Sequence, residues 1–387
     1  MKISPYPSRV VITGVGLLTA IGRNQNEVWE AIVQGRSGIR WFRENGFEWP
    51  AGIVTEDRRD HLTREWAFQV SSQALQDAQV NLETMDPTRV GLTVSTSKGD
   101  VCRWLEGKDG FSLHQVNAFL ISMLQTQGPA LNLVGACATG LHSVEWGARW
   151  IREGRADLVL AGASDSVLHP FLLQGYQRSG MMAKFSSTNE PSQLLRPFDQ
   201  HRSGTVLGEG CAVLVLESFK HALKRDAKIY GEILSVYNGV DLYHPLKMDE
   251  SGNSVAKALQ NLVEKAGMAK EKIDYINLHG TGTPWNDRVE TRGLKIFFGR
   301  EAKKISLSAT KPFTGHVVGA SGALELIVSL LAMKHQFIPP TLNLEKSDPE
   351  CDLDYTAREG REKKIETFVC LAYGFGGHVG GILVRKV

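Results

Sequence analysis

The chain carries no excess of charge, no paired cysteines and no long apolar run. Its 44 basic and 42 acidic residues leave a formal net charge of +2, which argues against a general nucleic-acid binder. Five cysteines, at 102, 137, 211, 351 and 370, are odd in number and form no CxxC pair. That pattern argues against a disulfide framework or a zinc ribbon, and it fits a reducing cytosol. No stretch approaches the roughly 18 apolar residues of a membrane helix. The opening MKISPYPSRVVITGVG holds no apolar core of signal-peptide length, so a cytoplasmic protein without membrane insertion is expected. No GxxxxGK[ST] loop occurs, and GVGLLTAIG (14–22) lacks the GxGxxG spacing of a dinucleotide turn.

Glycine is plentiful, with 39 residues gathered in short motifs as tight turns and close backbone approaches require. A chain of 387 residues, 42% of them hydrophobic, can bury two domains or one large duplicated one. Short runs such as RVVITGVG (9–16), RVGLTVSTS (89–97), ALNLVGA (130–136), ADLVLAGAS (156–164) and GCAVLVLES (210–218) show no polar alternation. The same holds after residue 225 for GEILSVY (231–237), DYINLHG (274–280), KISLSAT (304–310), TFVCLAYGFGG (367–377) and GGILVRK (380–386). They read as strands buried on both faces of an α/β sheet. Between them, 24–35, 63–80, 140–154, 253–267 and 322–336 carry apolar residues at helical spacing. A strand reaching Cys137 and a strand reaching GHVVGASGA each lead into an apolar helix. A duplicated α/β fold is expected, with halves 1–225 and 226–387 and the chemistry at strand ends.

Four stretches bear on chemistry. Cys137 in LVGACATGLHSVEW is either a small packing residue or a nucleophile at a helix N-terminus. In the second case Gly135 and Gly140 clear space for substrate, and the helix lowers the thiol pKa and binds an oxyanion. His279 ends a strand in NLHGTGTPWND, ahead of a sharp turn. His316 lies in SATKPFTGHVVGASGALE between Lys311 and Glu325, a pair expected to orient its imidazole. AYGFGGHVGG is either a bulged turn or the source of a second oxyanion N–H, with Phe375 closing a pocket. One Cys and two His at distant positions suit a thiol catalyst better than a zinc site, which usually includes a close ligand pair.

Taken in order, ACATG, RPFDQHRSGTVLGEG, HGTGTPWND, KPFTGH…GALE, IPPTLNL and GFGG make the chain resemble, over nearly its whole length, a known family. It is similar to the β-ketoacyl-acyl-carrier-protein synthases of the type II elongating group, in the thiolase superfamily. The resemblance implies a five-layered αβαβα fold of two pseudo-duplicated halves. It implies an acyltransferase that condenses a Cys-bound acyl chain with malonyl-acyl carrier protein, losing carbon dioxide and adding two carbons, in fatty-acid or related lipid and polyketide synthesis. The catalytic set it implies is Cys137, His279, His316, Lys311 and Phe375, the last as a gate. Glu325, Thr281, Thr283, Gly376 and Arg202 fall at substrate-binding positions, and Asp287 and Glu290 at structural ones. No metal or nucleotide cofactor is implied. The implied partners are acyl- and malonyl-loaded carrier protein, docking near Arg202 and more weakly Arg58, Arg59 and Arg64. A homodimer, or a heterodimer with a ketosynthase-like subunit, is also implied. Two other readings stand beside this one. One is a non-catalytic partner like the chain-length factors, which typically lack the nucleophile. The other is a thiolase-type enzyme acting on coenzyme A esters, for which Cys370 lies on the wrong side of GFGG. Departures from the family pattern are His378 and Val379 in place of Thr-Asn, Tyr373 for Phe, Ser203 for Asp, and a short 98–130 segment.

Overall fold

Nine strands that show hardly any polar alternation pair edge to edge in a computed structural model describing residues 9–55, 63–108 and 112–387. They are β1 (Val10–Leu18), β2 (Val90–Ser95), β3 (Leu158–Asp165), β4 (Gly210–Ser218), β5 (Gly231–Val240), β6 (Tyr275–Asn277), β7 (Ser306–Ser308), β8 (Thr367–Gly374) and β9 (His378–Arg385). Their order is β7-β6-β8-β9-β5-β1-β4-β3-β2. Every residue of β1, β2 and β3 is buried, as in strands covered on both faces. β2 and β3 run parallel, and so does β6 with β7 and β8. The two halves meet where Val10–Ile12 of β1 pair with Gly231–Ile233 of β5.

Six helices complete the layers: α1 (Thr63–Asp77), α2 (Gln115–Leu124), α3 (Thr139–Arg152), α4 (Asn253–Ala266), α5 (Pro284–Phe298) and α6 (Ser321–His335). The middle layer is α3 and α6. One apolar cluster joins Leu141 and Val144 of α3 and Leu324 and Ile327 of α6 to Ile12, Val159, Phe368 and Ile382 from strands of both halves. Outside the first half, Val70 of α1 and Leu120 of α2 pack on Leu92, Leu160 and Val213. Outside the second, Leu259 of α4 and Val289 of α5 pack on Ile276, Val369 and Leu383. These are the five layers, α-β-α-β-α, that the sequence led one to expect. Position explains composition. α4 buries one stripe, Val255, Ala258, Leu259 and Leu262, whereas α6 is buried continuously from Ser321 to Met333. One expectation is corrected here: the Val318–His335 stretch is long and apolar enough to cross a membrane, although 89% of it is buried inside the protein.

One expected strand is absent as such. Ala130 bridges Leu92, but 131–135 form no ladder. Side chains take over instead: Asn132 Oδ1 accepts from Thr96 N at 3.0 Å and Ser95 Oγ from Leu133 N at 3.0 Å. This irregular run brings the chain along the end of β2 to Cys137.

Candidate active site

Cys137 is the middle residue of a 3₁₀ turn, Ala136–Ala138, that opens into α3. Ala136 sits at φ +48°, a left-handed conformation that costs a non-glycine residue about 1–2 kcal/mol. Thr139 closes the turn, its Oγ1 accepting from Gly135 N at 2.9 Å and donating to Ala136 O at 2.8 Å. The thiol thereby reaches a cavity of about 310 Å³ shared with His279, His316 and Phe375. Gly374 lies against the Cys137 amide; a Cβ there would stand 3.1 Å from the Cys137 nitrogen. Among the described residues neither Cys137 N–H nor Phe375 N–H has an acceptor. Two free N–H groups at one spot suit an oxygen that gains negative charge. The flanking glycines serve packing rather than substrate approach. A Cβ on Gly135 would meet His142 Nδ1 at 2.5 Å, and one on Gly140 would meet Ala323 N of α6 at 2.8 Å.

The two histidines are held differently. His316 Nε2 is 3.1 Å from Cys137 Sγ, and its Nδ1 is 2.8 Å from Ser321 Oγ, the first residue of α6. His279 follows β6. Lys311 Nζ lies 3.1 Å from its Nδ1, 2.5 Å from its carbonyl oxygen and 2.5 Å from Glu325 Oε1. An ammonium only donates, so His279 Nδ1 accepts and the ring proton sits on Nε2. The Lys311–Glu325 pair thus orients His279, not His316 as its place in the sequence suggested. The cause is topological: β7 runs parallel to β6, so the residue beyond β7 lies beside the residue beyond β6. Donor atoms of Cys137, His279 and His316 lie within 4.8 Å of one another, close enough for a metal site. With Nδ1 taken by the ammonium and Nε2 protonated, however, His279 suits hydrogen-bond donation rather than ligation.

Burial dominates the electrostatics. It pushes the Cys137 thiol up to about 11, against smaller downward pulls from Lys311 and Lys98. The expected lowering by the helix end is therefore outweighed, and the resting thiol keeps its proton. Burial, then Lys311, hold His279 and His316 well below the ordinary histidine value. Both rings are neutral, so His316 is able to accept the thiol proton. Burial raises Glu325 to about 7 against Lys311. It raises Glu290 to about 8 as well. Glu290 accepts from His279 N at 2.8 Å and Gly280 N at 3.0 Å, and Asp287 from Phe198 N at 2.8 Å. These two carboxyls fix the backbone behind His279.

Of the expected binding residues, Thr281 and Thr283 line the cavity, their hydroxyls 2.8 Å apart. Thr283 also caps α5, which begins with Pro284. Three expectations are corrected. Glu325 is buried behind Lys311 and reaches the site only through it. Gly376 gives its N–H to Pro245 O at 2.7 Å, so that N–H is unavailable to a substrate. The Arg202 side chain is 2% exposed and lies 3.5 Å from Asp287 and 2.7 Å from Asp348; it ties loops together and presents no docking charge. Arg64 is half-buried over the Phe119 ring at 5.9 Å, and Arg58 and Arg59 lie outside the described residues. Sequence reading missed Lys247, Met248, Trp285 and Arg288, which line the cavity mouth. Their only sequence signal is the HGTGTPWND motif, which contains Trp285.

Comparison with known proteins agrees with this geometry. The family model described as Beta-ketoacyl synthase, N-terminal domain, matches residues 7–64 and 56–222, and the Beta-ketoacyl synthase, C-terminal domain, matches 230–345. The chain is 33% identical to a 3-oxoacyl-[acyl-carrier-protein] synthase 2 of Coxiella burnetii, over 98% of this chain and 99% of that one. It is 32% identical to a putative polyketide beta-ketoacyl synthase 1 of Streptomyces halstedii, over 97% of each. Among solved structures it is similar to a type II PKS acyl-carrier protein in complex with its ketosynthase bound to the hexaketide. There the TM-score is 0.93 at 29% identity, covering 99% of this chain and 100% of that one. The ishigamide ketosynthase/chain length factor aligns with a TM-score of 0.87 at 28% identity, over 99% and 100% of the two chains. A thiol and two neutral imidazoles sharing one cavity of a duplicated α/β fold, together with these matches, place the chain in the β-ketoacyl synthase family.

Proposed function

We propose that the chain is an acyltransferase that extends an acyl chain by a decarboxylating Claisen condensation. The observation that carries this is the Cys137 Sγ to His316 Nε2 contact of 3.1 Å beside a His279 whose tautomer Lys311 sets. Cys137 sulfur attacks the carbonyl carbon of an acyl carrier protein thioester as its proton passes to His316. The N–H groups of Cys137 and Phe375 hold the tetrahedral oxyanion. His316 hands that proton to the carrier thiol, which leaves, and the acyl group stays on the Cys137 sulfur. Malonyl carrier protein then binds. Its carboxylate leaves as carbon dioxide, and the electron pair of the broken C–C bond becomes an enolate. His279 donates to the enolate oxygen from Nε2, the nitrogen that carries its ring proton. The enolate carbon attacks the acyl-cysteine and the Cys137 thiolate is released. The product is a β-ketoacyl carrier protein, longer by two carbons.

Lys247 in the cavity lining, its ammonium over the Trp285 ring at 4.9 Å, supplies positive charge for an acidic carrier protein, the role assigned to Arg202 from sequence; Arg288 beside it is paired with Glu350 at 2.9 Å. The irregular edge beyond β2 exposes Leu131 and Val134, with Met123 nearby in sequence order. That surface supports pairing with a second copy or with a ketosynthase-like subunit. All five cysteines are buried and free, which supports a reducing compartment such as the cytoplasm. The test is mass spectrometry after incubation with an acyl carrier protein thioester. One acyl mass is expected on the wild type and none on Cys137→Ala. Labelling that survives the substitution rules the assignment out.

A further inference from the structure

His378 has no role in the chemistry above, and its position departs from the family pattern. It opens β9, on the far side of the Phe375–Gly377 turn from Gly374. Its ring lies beneath that turn: a Cβ on Gly376 would come within 3.4 Å of His378 Cδ2. On its other side is the ring of His142, with centroids 5.6 Å apart and planes at 66°. His142 belongs to α3 and in turn lies against Gly135, the residue that starts the Cys137 turn. It is buried, and it lies against the β9 backbone at Val379 and Gly380. Burial, and next the neighbouring His378, hold it down to about 4, so it stays neutral at working pH. The outer side of the Phe375–Gly377 turn is pinned by Gly376 N to Pro245 O and Asp241 N to Gly377 O, each 2.7 Å. The inner side rests on His378, which in turn meets His142.

We propose that His378 is a positioning residue: with His142 it forms a two-ring brace that sets the distance between the Cys137 turn and the Phe375 turn. The inference rests on the reading that the Cys137 and Phe375 N–H groups receive the thioester oxygen. His142 reaches one turn and His378 the other, and the edge-on contact between the rings transmits the spacing. A threonine at 378 is too short to reach His142, so the turn above it loses its floor.

The test separates two reactions of the same sulfur. Alkylation of Cys137 by iodoacetamide passes through no oxyanion, whereas acylation by a small thioester such as an acyl N-acetylcysteamine does. Both rates are measured on the intact chain for the wild type, His378→Ala, His378→Thr and His378→Phe. The expected result is acylation lowered about tenfold or more in the Ala and Thr variants, with alkylation unchanged. His378→Phe, which keeps a ring in place, restores acylation. Equal loss of both rates, unchanged acylation in the Ala and Thr variants, or failure of Phe to restore it overturns the brace. If His378→Ala fails to fold, the Thr and Phe pair decides alone. Loading from carrier protein is assayed separately. A wild type that acylates from the small thioester but never from carrier protein counts against the condensation reading and leaves the brace standing. A wild type that reacts with neither thioester overturns both.

Discussion

In the first half of the molecule Ala136-Cys137-Ala138 runs into Thr139-Gly140-Leu141; in the second Val318-Gly319-Ala320 runs into Ser321-Gly322-Ala323. Both stretches are 3₁₀ turns feeding a central helix. Both begin on a non-glycine residue at positive φ, +48° at Ala136 and +43° at Val318. The helices interlock through their glycines. A Cβ on Gly140 would strike Ala323 N at 2.8 Å, and one on Gly322 would strike Leu141 Cγ at 2.7 Å. The chemistry then diverges. Where the first turn has Cys137, the second has Gly319, whose N–H is bound to Asp165 Oδ2 at 2.8 Å. Thr139 closes its own turn, while Ser321 faces His316. The duplicated backbone thus supplies a kinked, N–H-bearing turn twice. One copy keeps its N–H free and carries the thiol; the other ties the halves together and orients the base.

That contrast is tested hardest at the histidines. His279→Ala should leave acylation of Cys137 near the wild-type rate and lower condensation by about 10²–10⁴-fold. His316→Ala should slow acylation too, because only His316 touches the thiol. Single-turnover acylation followed by product formation distinguishes the two; equal behaviour of both variants breaks the division of labour. Next in size is Arg202→Ala. Removing one partner of a buried ion pair should lower unfolding stability by about 3–5 kcal/mol, read by denaturant titration. A variant of wild-type stability that binds carrier protein poorly would return Arg202 to the docking surface.

Gly319→Ala probes the second turn directly. Its Cβ would lie 2.3 Å from Asp165 Oδ2, so the carboxylate must shift, at about 1–3 kcal/mol. Thermal unfolding should move accordingly, whereas Cys137 alkylation should not. A pH dependence tests the first turn in the same way. With the thiol raised to about 11, the thiolate fraction grows about tenfold per pH unit through the neutral range. Iodoacetamide alkylation of Cys137 should rise continuously from pH 6 to pH 9. A plateau near neutrality would mean that the helix end outweighs burial after all.

Much of the site was legible one residue at a time. His279 stood at the end of an apolar run that is indeed a strand, whereas the run before Cys137 forms no ladder and His316 was read only from its Lys311 and Glu325 neighbours. The partner of each side chain could not be read. Lys311 is close to His316 in sequence but bonds His279, through a strand pairing that no local pattern encodes. Arg202, expected at a docking surface, is instead held between Asp287 and Asp348, which approach from distant segments. The thiol pKa was misjudged for the same reason. Helix polarity comes from the adjoining α3 alone, whereas desolvation depends on everything packed around the sulfur.

Sequence alone therefore determined the α/β class and the duplication and singled out the candidate reactive groups, because periodicity and residue chemistry are local properties. Tertiary structure decided which N–H stays free, which imidazole accepts and which donates, and that His142 and His378 meet. Those depend on distances between segments far apart in the chain, set only when the five layers close.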